Sequence, residues 1–299
     1  MELHHQRHHH RLTSLNRAFI IGITLNILFV IVEFVVGFYY DSLGLLSDAG
    51  HNLGDVASLV LAMLAFRLEK VHPNSRYTYG YKKSTVLVSL LNAVILLVAV
   101  GVIIAESINK LLHPVAVDGS AIAWTAGIGV IINAVTAWFF MKDKDKDLNV
   151  KGAYLHMAAD AFVSIGVVVS GIIIMHTGWN YIDPIIGLGI AVIIVISTWG
   201  LLHDSLRLSL DGVPIGIDTQ KIRQLILAQP GVRNCHHLHI WAISTTETAL
   251  TAHIVTDDVT QMEEVKHRIR QALEQAGIHH ATLEFDDKEA TCEKECCED

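Results

Sequence analysis

Six apolar stretches, roughly 18–39, 45–66, 84–108, 120–141, 153–175 and 184–203, limit what this chain can fold into. Each is long enough to cross a hydrocarbon core of about 30 Å at about 1.5 Å per helical residue. The loops between them are lopsided in charge. Arg7, Arg11 and Arg17, then Arg67, Lys70, Arg76, Lys82 and Lys83, then Lys142, Lys144, Lys146 and Lys151 fall on one side, whereas the opposite loops offer Lys110. The positive-inside rule then puts both termini in the cytoplasm. With 52% hydrophobic and 17% charged residues, the chain is too apolar for an ordinary soluble protein.

The apolar stretches contain residues that lipid should exclude. His51 and Asp55 lie inside the second, in LLSDAGHNLGD, and His156 and Asp160 inside the fifth, in YLHMAADAF. A spacing of four puts imidazole and carboxylate on one helix face. A buried ionisable group is costly and defaults to a functional hypothesis. One such pair could simply satisfy itself; two pairs of identical spacing favour a metal site, with four ligands of the kind and number that zinc prefers. Two ionised Asp and two neutral His offset a divalent cation, and an empty site would have to take up protons. Metal and proton therefore compete for the same groups. Gly50 and Gly54 on one side, and Ala158, Ala159 and Ala161 on the other, let neighbouring helices approach closely. Asp48, Glu33 and Asn133 are candidates for supporting the ligands, while Asn26 and Asn133 also suit helix-to-helix hydrogen bonds.

The first 16 residues form a His-rich tail with His4, His5, His8, His9 and His10, which reads as a metal-collecting tract. The apolar run after it is too long for a cleavable signal, so residues 17–208 are expected to hold the six spans. Residues 209–287 turn soluble. DTQKIRQLILAQPGV and TQMEEVKHRIRQALEQAGI are expected helices, and CHHLHIWAIS, ETALTAHIVTD and HATLEFD expected strands, giving a small α+β layer. Residues 288–299 are a Cys-rich tail whose Cys292, Cys296 and Cys297 could bind metal. With Cys235 they do not resemble a secreted disulfide framework. A net charge of −8 gives no basic field, so nucleic acid is not an expected partner.

SLGLLSDAGHNLGD, GAYLHMAADAFVSIGV, IDPIIG and HHLHIWAIS together resemble the cation diffusion facilitator family, in particular its zinc-exporting bacterial branch. The resemblance runs from Arg17 to Asp286. It implies six transmembrane helices, a ferredoxin-like cytoplasmic domain, a homodimer, and exchange of cytoplasmic Zn²⁺ for protons at His51, Asp55, His156 and Asp160. It further implies that a His at position 51 goes with preference for zinc over cadmium, with cobalt or cadmium as weaker substrates. In the loop after the second span, Tyr77 and Tyr81 stand where relatives carry metal-binding His, so no metal site is expected there. Lys83 and Asp211 match a charge pair that in relatives links the third span to the soluble domain across the dimer. His236, His253, Glu284 and Asp286 match a cytoplasmic zinc site, with Glu284 in place of a His found in some members. Scattered surface histidines remain the alternative reading of that set.

The expectation from the sequence is thus a Zn²⁺/H⁺ antiporter of a bacterial inner membrane, not an enzyme. A membrane-bound metal sensor or an intramembrane metalloenzyme are the alternatives. The second is disfavoured because the chain has no H-E-x-x-H and no evident general base beside the ligands.

Overall fold

The computed structural model describes residues 19–32, 34–35, 43–113, 119–179 and 181–287. The His-rich tail, Glu33 and the three tail cysteines lie outside these residues, as do the side chains of Asp48 and His51. The first part of the chain is helical throughout: α1 (Phe19–Val32), α2 (Leu43–Glu69), α3 (Ser84–Leu112), α4 (Gly119–Met141), α5 (Leu148–Thr177) and α6 (Ile182–Ser209). Among the described residues, α3 and the Pro184–Ser209 part of α6 are long and apolar enough to cross a membrane by length and composition alone. Several helices outrun the apolar stretches. Helix α5 begins at Leu148 because Asp147 caps it, its Oδ1 accepting from the amides of Asn149 (2.7 Å) and Val150 (3.2 Å).

Polarity is inverted relative to a water-soluble bundle. Asn26, Asn52, Ser89, Asn92, Thr136, Thr198 and Ser205 are buried, whereas Leu91, Val98, Val102, Trp138, Phe162, Ile196 and Trp199 face outward. Water would penalise such an apolar exterior, and lipid does not. The inward polar groups tie helices together: Ser89 and Ser205 join α3 to α6 at 2.8 Å, and Asn26 Nδ2 reaches Thr136 Oγ1 at 3.5 Å between α1 and α4.

Helices α1, α2, α4 and α5 share one core. Phe19 sits in it, its ring centroid 4.8 Å from that of Phe140 and 5.6 Å from that of Phe66, above Leu59 and Met157. Helices α3 and α6 pack on each other and on α5, through Ala93, Leu96 and Leu201 and through Val100, Ala159, Ala191 and Ile194. Gly22 allows α1 its approach to α4: a Cβ there would lie 2.8 Å from Thr136 Cγ2.

The soluble part is α7 (Thr219–Leu227), β1 (Val232–Ala242), β2 (Thr248–Thr256), α8 (Met262–Gln275) and β3 (His280–Asp287). This is the helix, strand, strand, helix, strand order expected from the sequence. The sheet order is β1-β2-β3, with β1 and β2 antiparallel and β2 and β3 parallel, as the α8 crossover requires. One sheet face buries Cys235, Ile240, Leu250, Ala252 and Ile254 against Ile222, Ile226, Val265, Ile269 and Leu273 of the helices. Cys235 is part of this core, and burial pushes its thiol up to about 11, so it packs as a small apolar side chain.

Gly22→Val should wedge α1 from α4 and lower the detergent melting temperature, as overpacking costs about 1–3 kcal/mol, with Gly22→Ala less harmful. An unchanged melting temperature for Gly22→Val contradicts the close packing of α1 on α4.

Candidate metal centre

Helix α2 brings Asp55 and α5 brings His156 and Asp160 to one point inside the bundle. His156 Nε2 lies 2.7 Å from Asp55 Oδ1 and 3.7 Å from Asp160 Oδ2. One ligand atom from each of the three lies within 4.8 Å of the other two, the spread expected of groups that could close on a single ion. The Asp55 side chain is 2% exposed, that of His156 7% and that of Asp160 12%. Among the described residues, Asp55 Oδ2 is buried with no hydrogen-bond partner. A dry carboxylate oxygen left in that state is costly, and the cost falls when a cation or proton occupies it. Position 51 lies one helical turn before Asp55 on α2, on the same face.

The surroundings of this point are polar but sparse. Asn26 Nδ2 donates to Gly22 O at 2.9 Å and lies 3.8 Å from Met157 Sδ, beside His156. Asn133 is buried on α4, and its Oδ1 has no hydrogen-bond partner among the described residues.

A second cluster forms on the open face of the soluble sheet. His236, His253 and Glu284 are direct cross-strand neighbours, and Asp286 follows two positions along β3, so all four project from one face. His253 Nδ1 lies 3.2 Å from Asp286 Oδ2, and His236 Nε2 lies 3.5 Å from the same oxygen. His236, His253 and Asp286 form the compact group; Glu284, 68% exposed, touches His253 Nε2 from outside at 3.4 Å. A β-bulge between His236 and His239 turns His237 to φ 47°, which brings its ring 5.1 Å from that of His253. Strict alternation along β1 would point His237 to the opposite face from His236, so the sequence gives no cue for this third imidazole.

Lys83 and Asp211, the two members of the expected charge pair, meet as an ion pair at 2.5 Å within the chain. The reason is the packing of α3 against α6, which places the start of one beside the end of the other. Helix α6 ends in a left-handed residue, Asp211 (φ 59°), followed by Gly212, whose amide closes back on Arg207 O at 2.8 Å. Lys83 Nζ also donates to the terminal carbonyl of Leu208 at 2.9 Å, where the helix dipole favours a cation. In the loop before α3, the ring centroids of Tyr77 and Tyr81 lie 4.8 Å apart with the rings tilted by 37°, and Tyr79 Oη lies 3.3 Å from His280 Nε2 of β3.

Fold and site together define a membrane protein with ionisable side chains from two helices gathered inside an apolar bundle, joined to a small α+β domain. Residues 19–208 match the family model described as cation efflux transmembrane domain, and residues 214–287 the one described as cation efflux protein, cytoplasmic domain. The chain belongs to the cation diffusion facilitator family, a family of metal cation efflux transporters. It is 33% identical over 284 residues to the cadmium, cobalt and zinc/H(+)-K(+) antiporter of Bacillus subtilis (strain 168), covering 93% of this chain and 91% of that protein. It is 32% identical over 264 residues to the zinc transporter ZitB of Escherichia coli (strain K12), covering 86% of this chain and 83% of that one. A solved structure titled metal-bound C-terminal domain of the CzcD transporter from Cuprividus metallidurans is 38% identical, covering 23% of this chain and 99% of that one, with a TM-score of 0.22.

His253 touches both carboxylates of the sheet cluster. His253→Ala should therefore lower zinc bound to the full-length protein by about one equivalent per chain in equilibrium dialysis. Unchanged stoichiometry would place the bound metal elsewhere.

Proposed function

We propose that this protein exports Zn²⁺ in exchange for protons by alternating access, at a tetrahedral site of His51, Asp55, His156 and Asp160. The observation that carries the reading is the 2.7 Å approach of His156 Nε2 to Asp55 Oδ1 between two helices of an apolar bundle. A hydrogen bond between an imidazole nitrogen and a carboxylate oxygen needs a proton between them. The atoms that would ligate the cation are the atoms that hold that proton, so the two occupants exclude one another. Exclusion at a shared site is what converts a proton gradient into uphill metal movement: the loaded and the protonated carrier can each turn over, and the bare one carries unpaired buried charge.

In this reading residues 17–208 form a transmembrane domain in which all six helices cross, and residues 209–287 form a ferredoxin-like cytoplasmic domain. Both termini lie in the cytoplasm of a bacterial inner membrane, and the chain works as a homodimer. His51 completes the site from the turn before Asp55 and favours zinc over cadmium, with cobalt or cadmium as weaker substrates. Asp48, Glu33 and Asn133 support the ligands. The named antiporter of Bacillus subtilis supports proton-coupled exchange, and the zinc transporter of Escherichia coli supports the choice of zinc.

The cytoplasmic cluster is proposed to bind regulatory zinc through His236, His253 and Asp286, with Glu284 as an outer carboxylate. Two imidazoles and a carboxylate are a donor set that zinc accepts. Lys83 and Asp211 lock the domain to the helices, and Cys292, Cys296 and Cys297 gather metal near it.

Inverted membrane vesicles given an inward-acid pH gradient should accumulate ⁶⁵Zn, and collapse of that gradient should stop accumulation. Asp55→Ala and Asp160→Ala should each abolish it. Accumulation that survives either substitution contradicts the site, and metal binding without any transport favours a sensor.

A further inference from the structure

The five residues joining β1 to β2 bond to α2, to α3 and to the residue that caps α5. Their conformation is fixed internally: Ile243 N donates to Glu247 O at 2.9 Å, and Ser244 Oγ accepts from the amides of Thr246 (3.1 Å) and Glu247 (3.0 Å). A turn closed by its own serine presents the next two hydroxyls in fixed directions. Thr245 Oγ1 donates to Asp147 Oδ2, whose other oxygen caps α5. Thr246 Oγ1 donates to Glu69 Oε1 at 3.2 Å, on the last residue of α2.

The turn is also fastened to α3 and its approach, and Ala242 just before it reaches α6. Thr245 N donates to Thr85 Oγ1 at 3.1 Å, and Lys82 Nζ pairs with Glu247 Oε2 at 2.5 Å. Ala242, at its start, packs on Val86 and Leu208, and its carbonyl accepts from Lys83 Nζ at 3.1 Å. Burial raises the carboxyl groups of both Asp147 and Glu69 above their ordinary range, and the turn's hydroxyls oppose that shift. Each acid thus takes a hydrogen bond from the turn, part-buried at Asp147 and more exposed at Glu69.

The two helices so held are the two that carry Asp55 and His156. The two strands leaving the turn carry His236 and His253. We infer that Thr245 and Thr246 are positioning residues: the β1–β2 turn clasps the cytoplasmic ends of α2 and α5, fixes their separation, and passes the state of the cytoplasmic domain to the transport site. This rests on the proposed antiport for its effect on transport, but not for the clasp itself. A change in the β1–β2 pair, such as closure of His236 and His253 on a metal, moves a rigid turn whose hydroxyls hold both helix ends. The helix ends then follow the turn or lose their partners, which gives the differential contact that any coupling between two states requires.

The test uses the full-length protein in liposomes, with the isosteric double variant T245V/T246V and the hydroxyl-retaining variant T245S/T246S. Hydrogen–deuterium exchange should become about tenfold faster in residues 66–70 and in residues 148–152 together for the Val pair, as expected when a hydrogen bond that holds a helix end is lost. Zinc uptake should show a fall in Vmax with KM nearly unchanged, because the ligands themselves are intact. The Ser pair should restore both. Unchanged exchange in the Val variant overturns the clasp; faster exchange with unaltered Vmax overturns its role in transport, and a loss that Ser does not restore overturns the assignment to the hydroxyls. Should the wild-type liposomes take up no zinc, the antiport reading falls, and the exchange measurement alone decides the clasp.

Discussion

Everything in this molecule depends on one contact, the imidazole of His156 against the carboxylate of Asp55 inside an apolar bundle. Neither group belongs there alone. Together they form a unit that is tolerable only with something bound, whether a proton on the bridge or a cation between them. The helix packing around them follows from that need. Gly22 and the alanines of α5 bring backbones close, while Asn26, Ser89 and Thr136 fasten neighbours without placing further charge near the site.

Much of this was legible in the chain. Apolar runs of membrane length, broken by His-x-x-x-Asp twice, give the helices and, among the described side chains, the Asp55, His156 and Asp160 that meet, because the helical repeat of 3.6 fixes which side chains share a face. The alternation in CHHLHIWAIS and ETALTAHIVTD likewise gives β1 and β2. Helix ends were less legible: α5 starts at Leu148, five residues before its apolar run, because a capping aspartate and not hydropathy decides where it begins.

What escaped the sequence has a common physical cause, namely pairing between residues far apart in the chain. Thr245 and Asp147 are 98 residues apart, and Thr246 and Glu69 are 177 apart. Each looks like an ordinary loop or helix-end residue until the fold joins them. His237 escaped for a different reason, since only the bulge directs it toward His253. The pair Lys83 and Asp211 was legible as a pair, and the packing of α3 on α6 brings its two members together. The cytoplasmic domain thereby engages the helices through an ion pair on α3 and a hydroxyl clasp on α2 and α5.

The most direct test of the shared proton and metal site is zinc K-edge X-ray absorption on the purified protein. His236→Ala with His253→Ala, in a chain shortened to residues 17–287, should first remove the cytoplasmic cluster and both metal-collecting tails, so that the signal reports the membrane alone. The account predicts four nitrogen and oxygen neighbours at about 2.0–2.1 Å with imidazole scattering from two histidines, and loss of that signal in Asp55→Ala. Sulfur neighbours, six-fold oxygen coordination, or a spectrum unaffected by Asp55→Ala would contradict it.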